Sequence, residues 1–287
     1  MTTHEATFFL LNYLRKLFSD NEASEITDSV MENVTGSNKT ERMMYKNAAI
    51  TEKEELRIKE ILERLKTNEP LQYILGEAWF GGMKFIVNKN VLIPRPETDE
   101  LVQWIIKDHV HQENKSKTPN IIDIGTGSGC IPVTLKKKIP IANVSAIDVC
   151  SEAIFTATEN ALNNDAEVNF LLMDFLDETR WKELGQYDII VSNPPYVRRS
   201  EQDSIHSRVK DYEPHLALFV PDDDPLLFYK KIVDFSKEHL TTEGSLYFEI
   251  NESLPNEVSA MLKDKGFKAI EVKKDLQGKD RMIKALT

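Results

Sequence analysis

A chain of 287 residues can hold one large α/β domain and a small companion. Its 36 Lys and Arg against 47 Asp and Glu leave a formal net charge of −11, which argues against a general nucleic-acid binder. Hydrophobic residues at 41% can fill a core, and no apolar run approaches the roughly 18–20 residues that span a bilayer.

The opening Met1-Thr2-Thr3-His4-Glu5 lacks the basic start of a signal peptide, and a cytoplasmic protein is expected. Residues 1–75 read as helices. Phe8, Leu11, Leu14 and Phe18 recur at helical spacing, with Leu10 and Leu17 widening the stripe. Gly36-Ser37-Asn38 punctuates, and Thr51 with Glu54 forms a capping box ahead of an apolar face of Ile58, Ile61, Leu62 and Leu65. No catalytic cluster falls here; a small bundle that could dock a partner is expected. Across 76–100 the texture changes. Gly76, Gly81 and Gly82 interrupt Trp79, Phe80, Phe85, Ile86 and Val87, which reads as a hairpin linker. Pro94-Arg95-Pro96-Glu97-Thr98 then enters an amphipathic helix, and 115–119 is a polar loop.

From Asn120 the pattern alternates strand and helix. Ile121-Ile122-Asp123-Ile124 is an apolar strand, followed by Gly125-Thr126-Gly127-Ser128-Gly129. These glycines allow a tight turn and close backbone approach to a ligand at a helix start. Cys130 stands where a dinucleotide fingerprint wants Gly or Ala, which leans away from NAD. Cys130 and Cys150 form no CxxC or Cys/His cluster, so neither zinc nor any other metal is expected. Val144-Ser145-Ala146-Ile147-Asp148 ends a second strand in a carboxylate suited to ribose hydroxyls; the plainer reading is a helix N-cap. A helix over 151–164 and a third strand over 168–172 follow. Asp174 could accept from an adenine amino group with Phe175 packing on the ring, although a loop acid beside a core aromatic fits the same residues.

Tyr187-Asp188-Ile189-Ile190-Val191-Ser192 is a buried parallel strand that the prolines of Asn193-Pro194-Pro195-Tyr196 must end. Asn193 therefore falls just past the carboxyl end of a central strand, where open α/β sheets bind ligands. Its side-chain oxygen and the neighbouring carbonyls are acceptors, so the site suits a planar nitrogen with two N–H bonds, with Tyr196 offering a flat face. Residues 198–212 carry Arg198, Arg199, His206, Arg208 and Lys210, as a lid over the cleft or as a solvated loop. No triad partner accompanies His206 or His215. A helix over 226–240, a strand over 246–250, a helix over 254–265 and two strands flanking the turn 276–281 end the chain as an antiparallel hairpin at a sheet edge.

These residues together resemble the release-factor glutamine methyltransferases (the PrmC/HemK family). The likeness runs through Pro70-Leu71-Gln72-Tyr73-Ile74-Leu75-Gly76, Leu92-Ile93-Pro94-Arg95-Pro96-Glu97-Thr98, the strand and glycine loop 123–129, Ser192-Asn193-Pro194-Pro195-Tyr196, Tyr212-Glu213-Pro214 and Gly278-Lys279-Asp280-Arg281. The resemblance implies a Rossmann-like class I methyltransferase α/β sheet over 101–287 with a C-terminal antiparallel hairpin, and a substrate-docking helical domain over 1–75. It implies S-adenosylmethionine as cofactor, with S-adenosylhomocysteine as product, and methylation of the side-chain amide nitrogen of the glutamine in the Gly-Gly-Gln loop of peptide-chain release factors. Gly125, Thr126, Gly127, Ser128 and Gly129 would hold the methionyl part, Asp148 the ribose, and Asp174 and Phe175 the adenine. Asn193, Pro194, Pro195 and Tyr196 would bind the glutamine, with Asn193 and Pro194 catalytic and Asn193 also touching the cofactor. A monomer with no membrane or nucleic-acid partner is expected.

The chain departs from the family at Asp99, where Glu is common, at Pro132, at Asp222-Asp223-Asp224-Pro225 and at Asn251-Glu252-Ser253-Leu254. The competing readings are an adenine-N6 or other exocyclic-amine methyltransferase on nucleic acid, since the Asn193–Tyr196 stretch suits that NH₂ as well, and an idle nucleotide-binding module.

Overall fold

The structure is a computed structural model that describes residues 1–110 and 118–287, so most of the predicted loop at 115–119 lies outside the described residues. The chain divides into two compact units, Met1–Gly76 and Glu77–Thr287.

The first unit is helical: α1 (Thr3–Leu14), α2 (Asp20–Thr35), α3 (Lys39–Met44), α4 (Glu52–Leu65) and α5 (Leu71–Leu75). The capping box that opens α4 is formed, with Glu54 N–H donating to Thr51 Oγ1 at 3.2 Å and Thr51 N–H to Glu54 Oε2 at 2.6 Å. Ile58, Ile61, Leu62 and Leu65 are buried as expected. The expected apolar stripe of α1 is buried at Leu10 and Leu14, with Leu11 and Phe18 packed beside them, but Phe8 and Leu17 fall outside it. Ala6, Leu10 and Leu14 are buried while Phe8 is 60% and Phe9 45% exposed. Where Phe8-Phe9-Leu10-Leu11 are all apolar, periodicity cannot choose the stripe, and packing against α2 does.

The second unit opens on the hairpin β1 (Glu77–Phe80) and β2 (Met83–Ile86). This stretch is not a free linker: Phe80 and Phe85 belong to a core cluster with Leu101, Val102 and Ile105 of α6 (Pro96–Val110). Asn160, fully buried, accepts from Ile86 N–H at 2.6 Å and donates to Ile86 O and Ser128 O, both at 2.9 Å. One carboxamide thus ties the hairpin to the glycine loop.

There follow β3 (Asn120–Ile124), α7 (Cys130–Lys138), β4 (Asn143–Asp148), α8 (Ser151–Asn163), β5 (Asn169–Leu172), β6 (Tyr187–Ser192), β7 (Val197–Arg198), α9 (Ser207–Tyr212), β8 (Phe219–Val220), α10 (Leu227–His239), β9 (Leu240–Glu249), α11 (Pro255–Asp264), β10 (Lys268–Lys274) and β11 (Asp280–Leu286). The main sheet runs β10-β11-β9-β6-β3-β4-β5. Strands β3, β4, β5, β6 and β9 pair in parallel, and β11 and β10 add the antiparallel edge. This is the expected Rossmann-like sheet with its closing antiparallel hairpin. From β3 the chain winds outward through β4 and β5, then returns to β6 on the other side. The order reverses between β3 and β6, and the carboxyl ends of these strands border the crevice where such sheets bind ligands. Alternate residues of β9 fill the two faces: Tyr247 packs with Trp104 on one side, Phe248 with Tyr229 on the other. Among the described residues no helix is long and apolar enough to cross a membrane.

Candidate active site

The loop after β3 is laced to the end of β4. The N–H groups of Gly125 and Thr126 both donate to Ile147 O, at 2.9 and 3.0 Å. Gly125, Gly127 and Gly129 have φ of +79°, +54° and +78°, which side chains with a Cβ resist. Gly129 must also stay small, because a Cβ there would lie 2.9 Å from Ala157 Cβ on α8. Beyond β4, Asp148 reaches back to the same loop. Its Oδ2 accepts from Gly127 N–H at 2.8 Å and its Oδ1 from Cys150 N–H at 2.9 Å. Burial pushes the Asp148 carboxyl up, against these amides that pull it down. It is not the N-cap of α8, a position taken by Cys150.

The loop, Asp148, Asp174, Phe175 and the residues after β6 line one cleft of about 240 Å³. Of the five loop residues expected at a ligand, Gly125, Thr126, Gly127 and Ser128 face this cleft, whereas Gly129 is turned against α8. Asp174 is exposed at the rim, its Oδ1 accepting from Leu176 N–H at 2.9 Å. Phe175 lines the cleft and is also a core residue, stacked on Trp181 at 5.3 Å and edge-on to Phe235 at 5.4 Å. Phe175 is thus a core aromatic with one side on the cleft.

Asn193, Pro194 and Pro195 enter the cleft wall from the end of β6. Asn193 Nδ2 donates to Thr98 Oγ1 at 3.1 Å, and Thr98 O–H donates to Glu249 Oε2 at 2.6 Å. Asn193 Oδ1 and the Pro194 carbonyl have no hydrogen-bond partner among the described residues. Tyr196 is not brought to the cleft. Its hydroxyl donates to Glu249 Oε1 at 3.0 Å and its ring packs on the core behind the loop, so it braces the loop where a flat substrate contact was expected. Burial raises the Glu249 carboxyl, against the Thr98 and Tyr196 hydrogen bonds and the nearby Arg281 guanidinium. Burial and the Glu249 charge push the Tyr196 phenol upward.

Several contributors to the site had no role in the sequence reading, although Arg95, Thr98, Glu213 and Pro214 stand in the motifs that carry the resemblance. Thr98 and Glu249 form the wall behind Asn193. Arg95 lines the cleft and pairs with the buried Glu213, which also accepts from Ile93 N–H at 3.3 Å. Pro214, Leu216 and Ala217 face the cleft, whereas 198–212 does not, so the segment over the opening begins after α9. Asp123 is fully buried beneath the glycine loop, with the Thr126 hydroxyl as a polar neighbour; burial pushes it up to about 7, against that hydroxyl and with the Asp148 charge adding to the shift. A charged residue inside an apolar strand, as Asp123 and Glu249 are, was the available signal.

Residues 102–216 match the methyltransferase small domain and residues 10–76 the PrmC N-terminal domain. A release factor glutamine methyltransferase of Flavobacterium psychrophilum is 51% identical over 225 residues, 78% of each chain. One from Bacteroides thetaiotaomicron is 38% identical over 279 residues, 97% of this chain and 98% of the relative. Among solved structures, a T. thermophilus 16S rRNA N2 methyltransferase (RsmC) in complex with AdoMet and guanosine shares the fold, with a TM-score of 0.52 at 17% identity over 74% of this chain and 49% of that one.

Proposed function

We propose, from the premise that this chain belongs to the release factor glutamine methyltransferases, that its cleft methylates the side-chain amide nitrogen of the Gly-Gly-Gln glutamine of peptide-chain release factors, with Asn193 and Pro194 holding that amide. The observation that carries this reading is the position of Asn193. It shares one cleft with the glycine loop and Asp148, and its side-chain oxygen and the next carbonyl are unspent.

The residues present fit S-adenosylmethionine. Each Asp148 oxygen keeps acceptor capacity beyond its one backbone N–H, and the small glycine-loop residues and the Thr126 hydroxyl line the cleft beside it. Asp148 would take the ribose hydroxyls, Gly125, Thr126, Gly127 and Ser128 the methionyl end, and Asp174 and Phe175 the adenine. When bound, the cofactor supplies an electrophilic methyl group on a positively charged sulfur.

The rest falls to the chain. An amide nitrogen is a weak nucleophile because its lone pair is delocalised into the carbonyl. Two acceptors, Asn193 Oδ1 and Pro194 O, can engage its two N–H bonds and aim it into the cleft. Orientation of this kind contributes up to ~7–11 kcal/mol in well-aligned systems. The same two dipoles stabilise the positive charge that the nitrogen acquires, and the N–H proton that it must then lose departs to solvent from the end held by these acceptors. Pro195 holds the Pro194 backbone extended, so that carbonyl keeps its direction. The helices of Met1–Gly76 are proposed to dock the release factor.

The test is transfer of labelled methyl from S-adenosylmethionine to a purified release factor, beside its loop Gln→Ala variant and a DNA duplex. Label on the wild-type factor alone is expected. Asn193→Ala should lower kcat by about 100-fold or more with cofactor Kd little changed. Label on DNA but not on the factor would transfer the site to an exocyclic amine of a base.

A further inference from the structure

We infer that Glu249, acting through the Thr98 hydroxyl, sets the polarity of Asn193, so that the carboxamide presents its oxygen and never its NH₂ to the substrate. The two are positioning residues for an N–H donor, and the inference rests on the glutamine-amide reading above.

Glu249 ends β9 with its side chain buried, and although burial favours the neutral acid, the two hydroxyls aimed at its oxygens and the Arg281 guanidinium nearby favour the carboxylate, which can only accept. Its Oε2 takes the Thr98 O–H at 2.6 Å, which spends the one proton that Thr98 owns. Only lone pairs remain on Thr98 Oγ1, so the Asn193 atom 3.1 Å away must be the donor, Nδ2. With Nδ2 held there, Oδ1 is left as the free end of the carboxamide. An NH₂ turned outward would face the substrate amide's own N–H groups, donor against donor.

The second carboxylate oxygen holds the other end of the loop. Glu249 Oε1 accepts from the Tyr196 hydroxyl at 3.0 Å, and Asn251 Nδ2 donates to Tyr196 O at 3.3 Å. One buried carboxylate therefore spans Asn193 to Tyr196. Its charge is balanced by Arg281, held in place by Asp275 at 3.4 Å and Glu252 at 2.9 Å. A neutral group at 249 would remove the constraint. A carboxamide could give Thr98 either an oxygen or an NH₂, and in the second case the Thr98 proton would turn towards Asn193 and reverse it.

The experiment is a double-mutant cycle of Thr98→Val and Asn193→Ala. It reads kcat and KM for the release factor, cofactor Kd by equilibrium binding without turnover, and Tm. In the wild-type background Thr98→Val should lower kcat by about 10- to 100-fold, with cofactor Kd within about twofold. In the Asn193→Ala background it should cost less than about twofold more, because nothing is left to orient. Thr98→Ser, which keeps the hydroxyl, should restore most of the rate, and Glu249→Gln should fall between the two. If Thr98→Val is too unstable to purify, Thr98→Ala takes its place in the cycle. Equal losses in both backgrounds, or a wild-type rate for a variant lacking the hydroxyl, would overturn the inference. Absence of transfer by the wild-type enzyme would instead overturn the reading beneath it.

Discussion

Replacing Gly129 by Ala should destabilise the second unit by about 2–5 kcal/mol, and the structure separates that cost into two parts. The first is backbone: at φ of +78° a residue with a Cβ loses roughly 1–2 kcal/mol. The second is overpacking. The new Cβ would lie 2.9 Å from Ala157 Cβ and 3.1 Å from Ala157 Cα, and the latter cannot retreat without moving α8. Such crowding costs about 1–3 kcal/mol. Ala157→Gly removes the closest contact, at about 1 kcal/mol for a glycine inside a helix. The double variant should then keep the backbone and helix parts and the approach to the Cα of residue 157, so its cost should fall at least about 1 kcal/mol below the roughly 3–6 kcal/mol of simple addition. Urea unfolding of the wild type, both singles and the double would measure this, with cofactor binding followed alongside. Additivity within about 0.5 kcal/mol, or a Gly129→Ala cost below that, would refute the claim that loop and helix are in contact through this residue.

Asp148→Ala should raise cofactor Kd by about 100-fold, since it removes both the ribose acceptor and the group that holds Gly127 and Cys150 N–H. Equilibrium binding would show it, and an unchanged Kd would mean that the Ile147 carbonyl alone shapes the loop. Asp123→Asn should change how stability depends on pH. From the ordinary value of 3.8 up to about 7 the folded chain keeps a proton on Asp123 that the unfolded chain has released, so stability falls as pH rises through that window and levels above it. Between about pH 5.5 and 8 the wild type should lose about 2 kcal/mol relative to Asp123→Asn. Parallel pH curves in denaturant unfolding would contradict that burial.

What was legible in the amino-acid order was what short-range physics decides. Apolar runs ending in Gly125 and Asn193 mark strand ends, because glycines and prolines punctuate locally, and the strand–helix alternation from Asn120 gave a parallel sheet with its ligands at those ends. Family resemblance added the substrate. What only the fold decided were directions and long-range partners. Phe8 fell outside the buried face of α1 because four consecutive apolar residues carry no phase. The hairpin at Glu77–Phe80 and Met83–Ile86 joined the core through Asn160, 74 residues beyond Ile86. Tyr196 turned from the cleft to Glu249, 53 residues away, and Thr98 met that same carboxylate across 151 residues. A buried carboxylate draws hydroxyls to itself wherever the chain can bring them, and which hydroxyls arrive is set by the packing of β6, α6 and β9, which no local pattern encodes.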